Sequence, residues 1–379
     1  MRDFRTALAF AVGAKVLKNV ASIPHSDFGD GSYDGGHTML SIPTSYRAGS
    51  FVGSKQIKIV EKPTPTPGTG QLVLKVGANA ICGSERPQFF DGTATTPGHE
   101  AAGTVVAAGT GTHTPVGTPG VVFLMDFCGK CRSCKLGFTN QCLSKRGDMG
   151  FNKDGGYGQY QLINENIFFP APGFTATEAT LLLDIMGTGG HAIERCQLMR
   201  PDIESVLVLG AGPIGLGVLA MAKIILGRHV NVFLTDIVPY RLKLAEQLGG
   251  LPINASKGSI KDGLKVHGSE AADMGVDTSG KQVAREEGHR ALAQRGSLIC
   301  VGHGEGISLK ISPDIIAPER SVVGSEYFRY DELPANLRRL TAHKDYISQI
   351  ITHRYGLDEI QKAFDLFFGG ETGKVIIEQ

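Results

Sequence analysis

The stretch that decides the fold is Val206-Leu-Val-Leu-Gly210-Ala-Gly212-Pro213-Ile214-Gly215-Leu-Gly-Val-Leu-Ala-Met-Ala-Lys-Ile-Ile-Leu226. Val206–Leu209 is a short apolar run, as expected of a strand buried on both faces. A GxGxxG loop follows at once, and Ile214–Leu226 is apolar over a helical length. Gly210 allows the tight turn. Gly212 lets the backbone approach a pyrophosphate at the helix N-terminus, and Gly215 lets helix and strand pack closely. Pro213 and Ile214 complete the loop and are taken with it as cofactor-binding. A lone GxGxxG is a weak signal, but this one sits in the strand–turn–helix context that the function requires. The bland alternative is a glycine-rich turn that holds no nucleotide.

Moving outward, Val230–Thr235 reads as a second strand and Arg241–Leu248 as a second helix. Gly275–Asp277 and Ser297–Val301 read as later strands of one parallel sheet. Asp236 stands 24 residues after Gly212, at the end of the second strand. A carboxylate there accepts hydrogen bonds from adenosine ribose hydroxyls and repels a 2′-phosphate, so NAD is favoured over NADP. Arg241 is either a helix-surface arginine or a group that helps to hold a phosphate. Upstream the texture differs. Phe51–Val60, Gln71–Val76, Thr104–Ala108 and Val121–Leu124 are short β-forming segments, the first two split by the proline-rich turn Pro63–Gly68. Past Tyr330 come polar helices and a last strand, Lys374–Ile377.

Of 379 residues, 51 are glycine, with no Gly-X-Y period, so much of the backbone turns tightly. Basic and acidic residues balance, 38 against 37, which removes the electrostatic case for nucleic acid or an anionic membrane as main partner. No apolar run reaches the roughly 18 residues of a membrane-spanning helix.

Cysteine usage points to a metal. Four of the seven cysteines, Cys128, Cys131, Cys134 and Cys142, fall within fifteen residues. That spacing suits a closed, structural tetrathiolate zinc site in a reducing compartment such as the cytoplasm. Reduced buried cysteines and an iron–sulfur cluster are the alternatives. Cys196 and Cys300 read as free structural thiols. Near the start, Arg2 and Arg5 precede the apolar stretch Ala7–Ala14. This reads as an amphipathic extension, with a cleaved targeting peptide as the alternative. Asp27–His37 reads as loop.

Two further residues carry weight only in company. Cys82 lies in Ala80-Ile-Cys-Gly-Ser-Glu85 and His99 in Pro97-Gly-His-Glu-Ala101. A lone cysteine is more often a core residue, and a lone histidine more often a hydrogen-bonded one. Taken with the cysteine lobe, Gly155-Gly-Tyr-Gly158, the GAGPIG loop and the terminal Gly373-Lys-Val-Ile-Ile-Glu378, the chain from Arg47 to Gln379 resembles the zinc-dependent medium-chain alcohol/polyol dehydrogenases.

That resemblance implies an α/β protein of two domains. A GroES-like, mainly β catalytic domain would span 47–185 and 331–379, with the structural zinc lobe at 128–142. A Rossmann domain with a doubly wound parallel sheet, 186–330, would be inserted between them. Residues 1–46 form an extension without counterpart. The active site would lie in the cleft between the domains. Cys82, His99 and Asp184 would bind a catalytic zinc, giving two zinc ions per chain. Glu100 would approach that zinc, Glu85 would orient a ligand, and Ser84 would bond the substrate hydroxyl. Val301 and Gly302 would contact nicotinamide. Zinc would lower the pKa of an alcohol poised to pass hydride to NAD. The substrate would be a secondary alcohol, polyol or sugar-like compound, and the chain a homo-dimer or homo-tetramer. Pro87 stands where many relatives have a proton-relay histidine. Phe89, Phe90, Met186 and Tyr327 are pocket candidates, each equally readable as core. Two other functions fit the same motifs: a redox-neutral enzyme that retains its NAD, and a zinc- and NAD-binding sensor.

Overall fold

The computed structural model describes residues 42–379, and the readings made on residues 1–41 lie outside them. β1 (Ser45–Gly53) and β2 (Gln56–Pro63) form an antiparallel hairpin. Phe51–Val60, expected as a single β segment, therefore contains a turn. Ser54 and Lys55 carry it with φ of 51° and 61°. A two-residue loop of this kind needs positive φ at both positions and normally announces itself as Asn-Gly or Asp-Gly. Ser-Lys gives no such cue.

β3 (Gln71–Ala80), β4 (Ala101–Ala108), β5 (Pro119–Val122), β6 (Tyr160–Asn164) and β7 (Phe168–Pro170) build the mainly β part. β8 (Ser205–Leu209), β9 (Asn231–Asp236), β10 (Leu251–Asn254), β11 (Ala272–Asp277), β12 (Leu292–Cys300) and β13 (Ser321–Gly324) follow. These six form an all-parallel sheet in the order β10-β9-β8-β11-β12-β13. The order reverses between β8 and β11. In open α/β sheets, ligands bind at the carboxyl ends of strands at such a point. The helix Pro213–Ile225 returns the chain from β8 to β9, as its apolar length predicts.

β14 (Ile351–Gly356) and β15 (Lys374–Glu378) then go back to the first part, completing a seven-stranded sheet ordered β14-β15-β3-β4-β5-β7 with β6 on β3. One continuous core runs from Leu72, Leu74 and Val105 through Leu183 and Ile185 to Val206 and Val218. Among the described residues, no helix is long and apolar enough to cross a membrane.

Candidate active site

Strand register brings the distant motifs together. Asn79 pairs with Ala101 across β3 and β4, so residues just past β3 meet those just before β4. Ile376 pairs with Ala80 across β15 and β3, which places Lys374 level with Cys82. Asp184 arrives from elsewhere. It begins a π-helical turn, Asp184–Thr188, a rare form that is frequent at functional sites. Leu182, Leu183 and Ile185 around it are fully buried. Each such side chain contributes about 1.5–3 kcal/mol of burial, which fixes the turn.

The result is a buried cluster in which one donor atom each from Cys82, His99, Glu100 and Asp184 lies within 4.8 Å of all the others. His99 Nε2 is 3.6 Å from Asp184 Oδ2, while its Nδ1 is 3.1 Å from Glu85 Oε1. Glu85 Oε2 accepts from the Tyr157 hydroxyl at 2.8 Å and from the Cys82 N–H at 3.3 Å. One buried carboxylate thus steadies both Cys82 and His99. The Thr188 hydroxyl donates to Asp184 Oδ1 at 3.3 Å. Glu100 is ion-paired with Lys374, both fully buried.

Burial alone would raise Asp184, but His99 and Lys374 overcome it and hold the carboxyl well below its ordinary range. Burial would lower His99, yet Asp184, Cys82 and Glu85 lift it well above its ordinary value. Burial and the Asp184 charge push the Cys82 thiol up. Burial, with Asp184, likewise raises Glu100 against the pull of Lys374. A soft sulfur, an imidazole and a carboxylate held this close, away from water, suit a zinc ion, whose charge would relieve the crowding of acids.

The cysteine lobe passes the same test. Cys131 Sγ is 3.5 Å from Cys134 Sγ and 3.9 Å from Cys142 Sγ. Sulfurs about 2.3 Å from one tetrahedral zinc lie about 3.8 Å apart. Backbone N–H groups of Cys134 and Leu143 draw Cys131 down to about 6, while burial and the neighbouring sulfurs push Cys134 up to about 12. The lobe docks onto the segment Glu326–Tyr330. Asn140 Nδ2 donates to the Glu326 carbonyl at 2.7 Å, and the Tyr330 N–H donates to Thr139 Oγ1 at 2.8 Å.

At the dinucleotide loop Gly210 takes φ 99°. A Cβ on Gly215 would sit 1.9 Å from the Gly210 carbonyl oxygen, so only glycine fits. A Cβ on Gly212 would meet nothing nearer than Arg241 Nη1 at 3.9 Å, which leaves that backbone open to a ligand. Pro213 and Ile214 open the helix and are partly exposed. Asp236 Oδ2 accepts from the Ala211 N–H at 2.9 Å, and Oδ1 accepts from Ile237 and Val238 at 2.8 and 2.9 Å. Arg241 Nη1 is 3.9 Å from Asp236 Oδ2, so this arginine faces the loop rather than bulk solvent. The N–H groups of Val301 and Gly302 both donate to the Asp277 carbonyl at 2.9 Å, and buried Arg285 holds Asp277 and the Gly302 and Glu305 carbonyls.

The two regions are joined tightly. A Cβ on Gly217, in the helix Pro213–Ile225, would come 2.5 Å from the Ile185 carbonyl oxygen. The Asp184 turn therefore lies directly on the helix that the dinucleotide loop opens.

Ser84, in the turn Gly83–Glu85, is exposed, as is Pro87. The pocket candidates, each equally readable as core, are placed by the fold. Phe89 is core, stacked 5.3 Å from Phe368 beside Phe51 and Phe364, and Phe90 packs edge-on to the same group. Met186 is buried in the main core. Tyr327 is buried and its phenol lies in the field of Asp184, Glu100 and Cys82. Sequence reasoning gave no role to Tyr157 or Lys374, although both stand inside quoted motifs. A lysine opening the otherwise apolar Val375-Ile-Ile377 was the available signal.

Comparison with known proteins identifies the family. Residues 68–173 match the alcohol dehydrogenase GroES-like domain, and 213–342 match the zinc-binding dehydrogenase domain. The chain is 30% identical over 348 residues to an L-threonine 3-dehydrogenase of Alteromonas mediterranea, covering 86% of this chain and 96% of that one. The chain belongs to the zinc-dependent medium-chain dehydrogenase/reductase family. It is an NAD(P)-dependent alcohol dehydrogenase of that family. Its fold is that of the short chain alcohol dehydrogenase rspB of Escherichia coli CFT073 complexed with NADH, at TM-score 0.80 and 23% identity, over 89% of this chain and 100% of that one. It is also that of 2R,3R-butanediol dehydrogenase from Bacillus subtilis, at TM-score 0.78 and 22% identity, over 88% and 99%.

Proposed function

We propose that this medium-chain dehydrogenase oxidises a secondary alcohol carrying a second polar group, such as a polyol or sugar-like compound, with NAD. The observation that carries the reading is the convergence of Cys82, His99 and Asp184 in a buried cluster packed on the helix of the dinucleotide loop. These three residues would hold a catalytic zinc, and Cys128, Cys131, Cys134 and Cys142 a structural one. When bound, zinc would polarise an alcohol oxygen while nicotinamide accepts the hydride. Glu85 fixes the ring of His99 and the backbone of Cys82. Lys374 holds Glu100 beside the ligands without leaving its charge unpaired. Exposed Ser84 would accept the alcohol proton as it releases its own hydroxyl proton to solvent, with Pro87 in place of a relay histidine. Gly210, Gly212, Pro213, Ile214 and Gly215 would cradle the pyrophosphate, Asp236 would take the adenosine ribose, and Arg241 beside it would help to hold a phosphate. Val301 and Gly302 would border the nicotinamide. L-Threonine and 2,3-butanediol, the substrates in two relatives' names, share a secondary alcohol beside a polar group, which supports that substrate class. The chain would work as a homo-dimer or a dimer of dimers.

The test is a panel of secondary alcohols, diols, polyols, sugars and primary alcohols, offered to zinc-replete enzyme with NAD and NADP and followed at the nicotinamide absorbance. NAD reduction by secondary alcohols with a polar neighbour, ahead of primary alcohols, is expected. No turnover with any of them, in either direction, would sink the reading.

A further inference from the structure

Tyr327 combines a buried hydroxyl that lacks a partner with a left-handed backbone. Its side chain is 7% exposed, yet its hydroxyl makes no hydrogen bond to the described residues. Buried phenols are normally paired, because leaving a polar group unsatisfied is costly. Its backbone has φ 47°, in the left-handed region that a bulky aromatic residue adopts only when its surroundings force it. The surroundings do so from both sides. On one, the Tyr327 ring lies 5.4 Å from Phe123 and 4.4 Å from Phe328, and the Phe328 ring fills the space where Gly187 would carry a Cβ. Gly187 is three residues past Asp184, in the same π-turn. On the other, the cysteine lobe grips Glu326 and Tyr330. The segment is thus clamped against both proposed metal centres, with a strained residue between the clamps.

Phe328 packs on Gly187 of the Asp184 turn, so the neighbouring Tyr327 phenol stands in the field of Asp184, Glu100 and Cys82, and its hydroxyl has no partner there. Cys82, His99 and Asp184 would be committed to the metal, and Glu100 gives Oε1 to Lys374 and keeps Oε2 unpaired. A donor is left over at the edge of the cluster. A simple alcohol has one oxygen, which the metal would engage, and offers this donor nothing. A substrate with a second oxygen on the adjoining carbon can satisfy it.

We propose that the Tyr327 hydroxyl recognises a second hydroxyl on the carbon next to the reacting one, and so sets a preference for vicinal diols over simple secondary alcohols. The assignment rests on the alcohol-oxidising function proposed above and names its specificity determinant.

The experiment compares wild type with Tyr327→Phe, both zinc-replete, on 2,3-butanediol and 2-butanol with NAD. The ratio of kcat/KM for diol over mono-alcohol should fall at least about tenfold in the variant, the cost of one lost recognition bond. A merely structural tyrosine would move both substrates together and leave the ratio unchanged, which would overturn the assignment. Thermal unfolding without substrate gives a readout independent of turnover. Removing an unpaired hydroxyl should leave Tm at or above the wild-type value, and a fall of more than about 3 °C would reveal a structural partner and overturn it as well. Wild-type enzyme that oxidises neither alcohol would sink the proposed function and this assignment with it. Wild-type enzyme that oxidises both, with an unmoved ratio in Tyr327→Phe, would sink this assignment alone.

Discussion

The carboxylate of Asp236 does two things at once. It accepts three backbone N–H bonds, including that of Ala211 inside the dinucleotide loop, and its proposed second duty is to meet an adenosine ribose with a negative charge. The sequence position suggests the second duty but not the first, because a hydrogen bond back to the loop depends on how the end of β9 meets β8. Asp236→Ala should therefore show two effects. The kcat/KM ratio of NADP over NAD should rise about tenfold, since about 1.4 kcal/mol of discrimination is that factor. Tm should fall too, because the freed N–H groups cost about 1–3 kcal/mol where they stay unsatisfied. A lower Tm with an unmoved cofactor ratio would reduce Asp236 to a brace. The proposed metal residues were legible to different degrees for a physical reason. Four cysteines in fifteen residues are close whatever the fold, so spacing alone announced them. Cys82, His99 and Asp184 are close only after β3, β4 and the π-turn assemble, so resemblance had to supply what spacing could not. Lys374 and Tyr157 act through register and burial, which no local pattern displays.

Between elements, two ties hold the Glu326–Glu332 segment that carries Tyr327. The first is the cysteine lobe. Cys134→Ala should leave one zinc per chain instead of two by metal analysis and should lower Tm, with a smaller effect on turnover. Abolished turnover in a stably folded variant that keeps its other zinc would contradict the structural role. The second is Glu332, bonded to His191 Nδ1 of the helix Gly189–Gln197 at 2.8 Å and to Arg329 Nε at 2.8 Å. Burial would raise its carboxyl, but His191 and Arg329 hold it below the ordinary value. Because the folded value is depressed, the unfolded chain takes up the proton first as pH falls. The stabilisation is complete above the ordinary carboxylate value of about 4.3 and is lost as pH drops through the lower folded value. The Tm gap between wild type and Glu332→Gln should accordingly be widest near neutrality and narrow below about pH 4. A gap that stays constant with pH would mean that charge does not matter there. At this scale the parallel strands and their helices could be read closely from apolar runs, whereas the β1–β2 turn could not, because Ser54-Lys55 lacks the usual turn chemistry.

For the whole molecule, the open question is what covers the end of the parallel sheet. β13 is its last strand, and the outer edge of β13 is unpaired among the described residues. Proteins that stay monomeric blunt such an edge with lysines, prolines or bulges. Here the strand is Ser-Val-Val-Gly, with Val322 38% exposed, and the segment leading to it exposes Ile311 and Ile316. A bare edge flanked by exposed apolar side chains suits pairing with its own copy about a two-fold axis, which would join two six-stranded sheets into one of twelve. Light scattering after size exclusion should then give twice or four times the mass of one chain. Val322→Lys together with Ile316→Lys should halve that mass at micromolar concentration while leaving the circular dichroism spectrum in place, since both side chains are already exposed. Scattering that returns the single-chain mass for the unaltered protein would eliminate the dimer. An unchanged oligomer in the double variant would instead move the interface away from β13. The same variant separates assembly from chemistry. Cys82, His99 and Asp184 all come from one chain, so the lysine pair should weaken stability at low protein concentration well before it weakens turnover per folded chain.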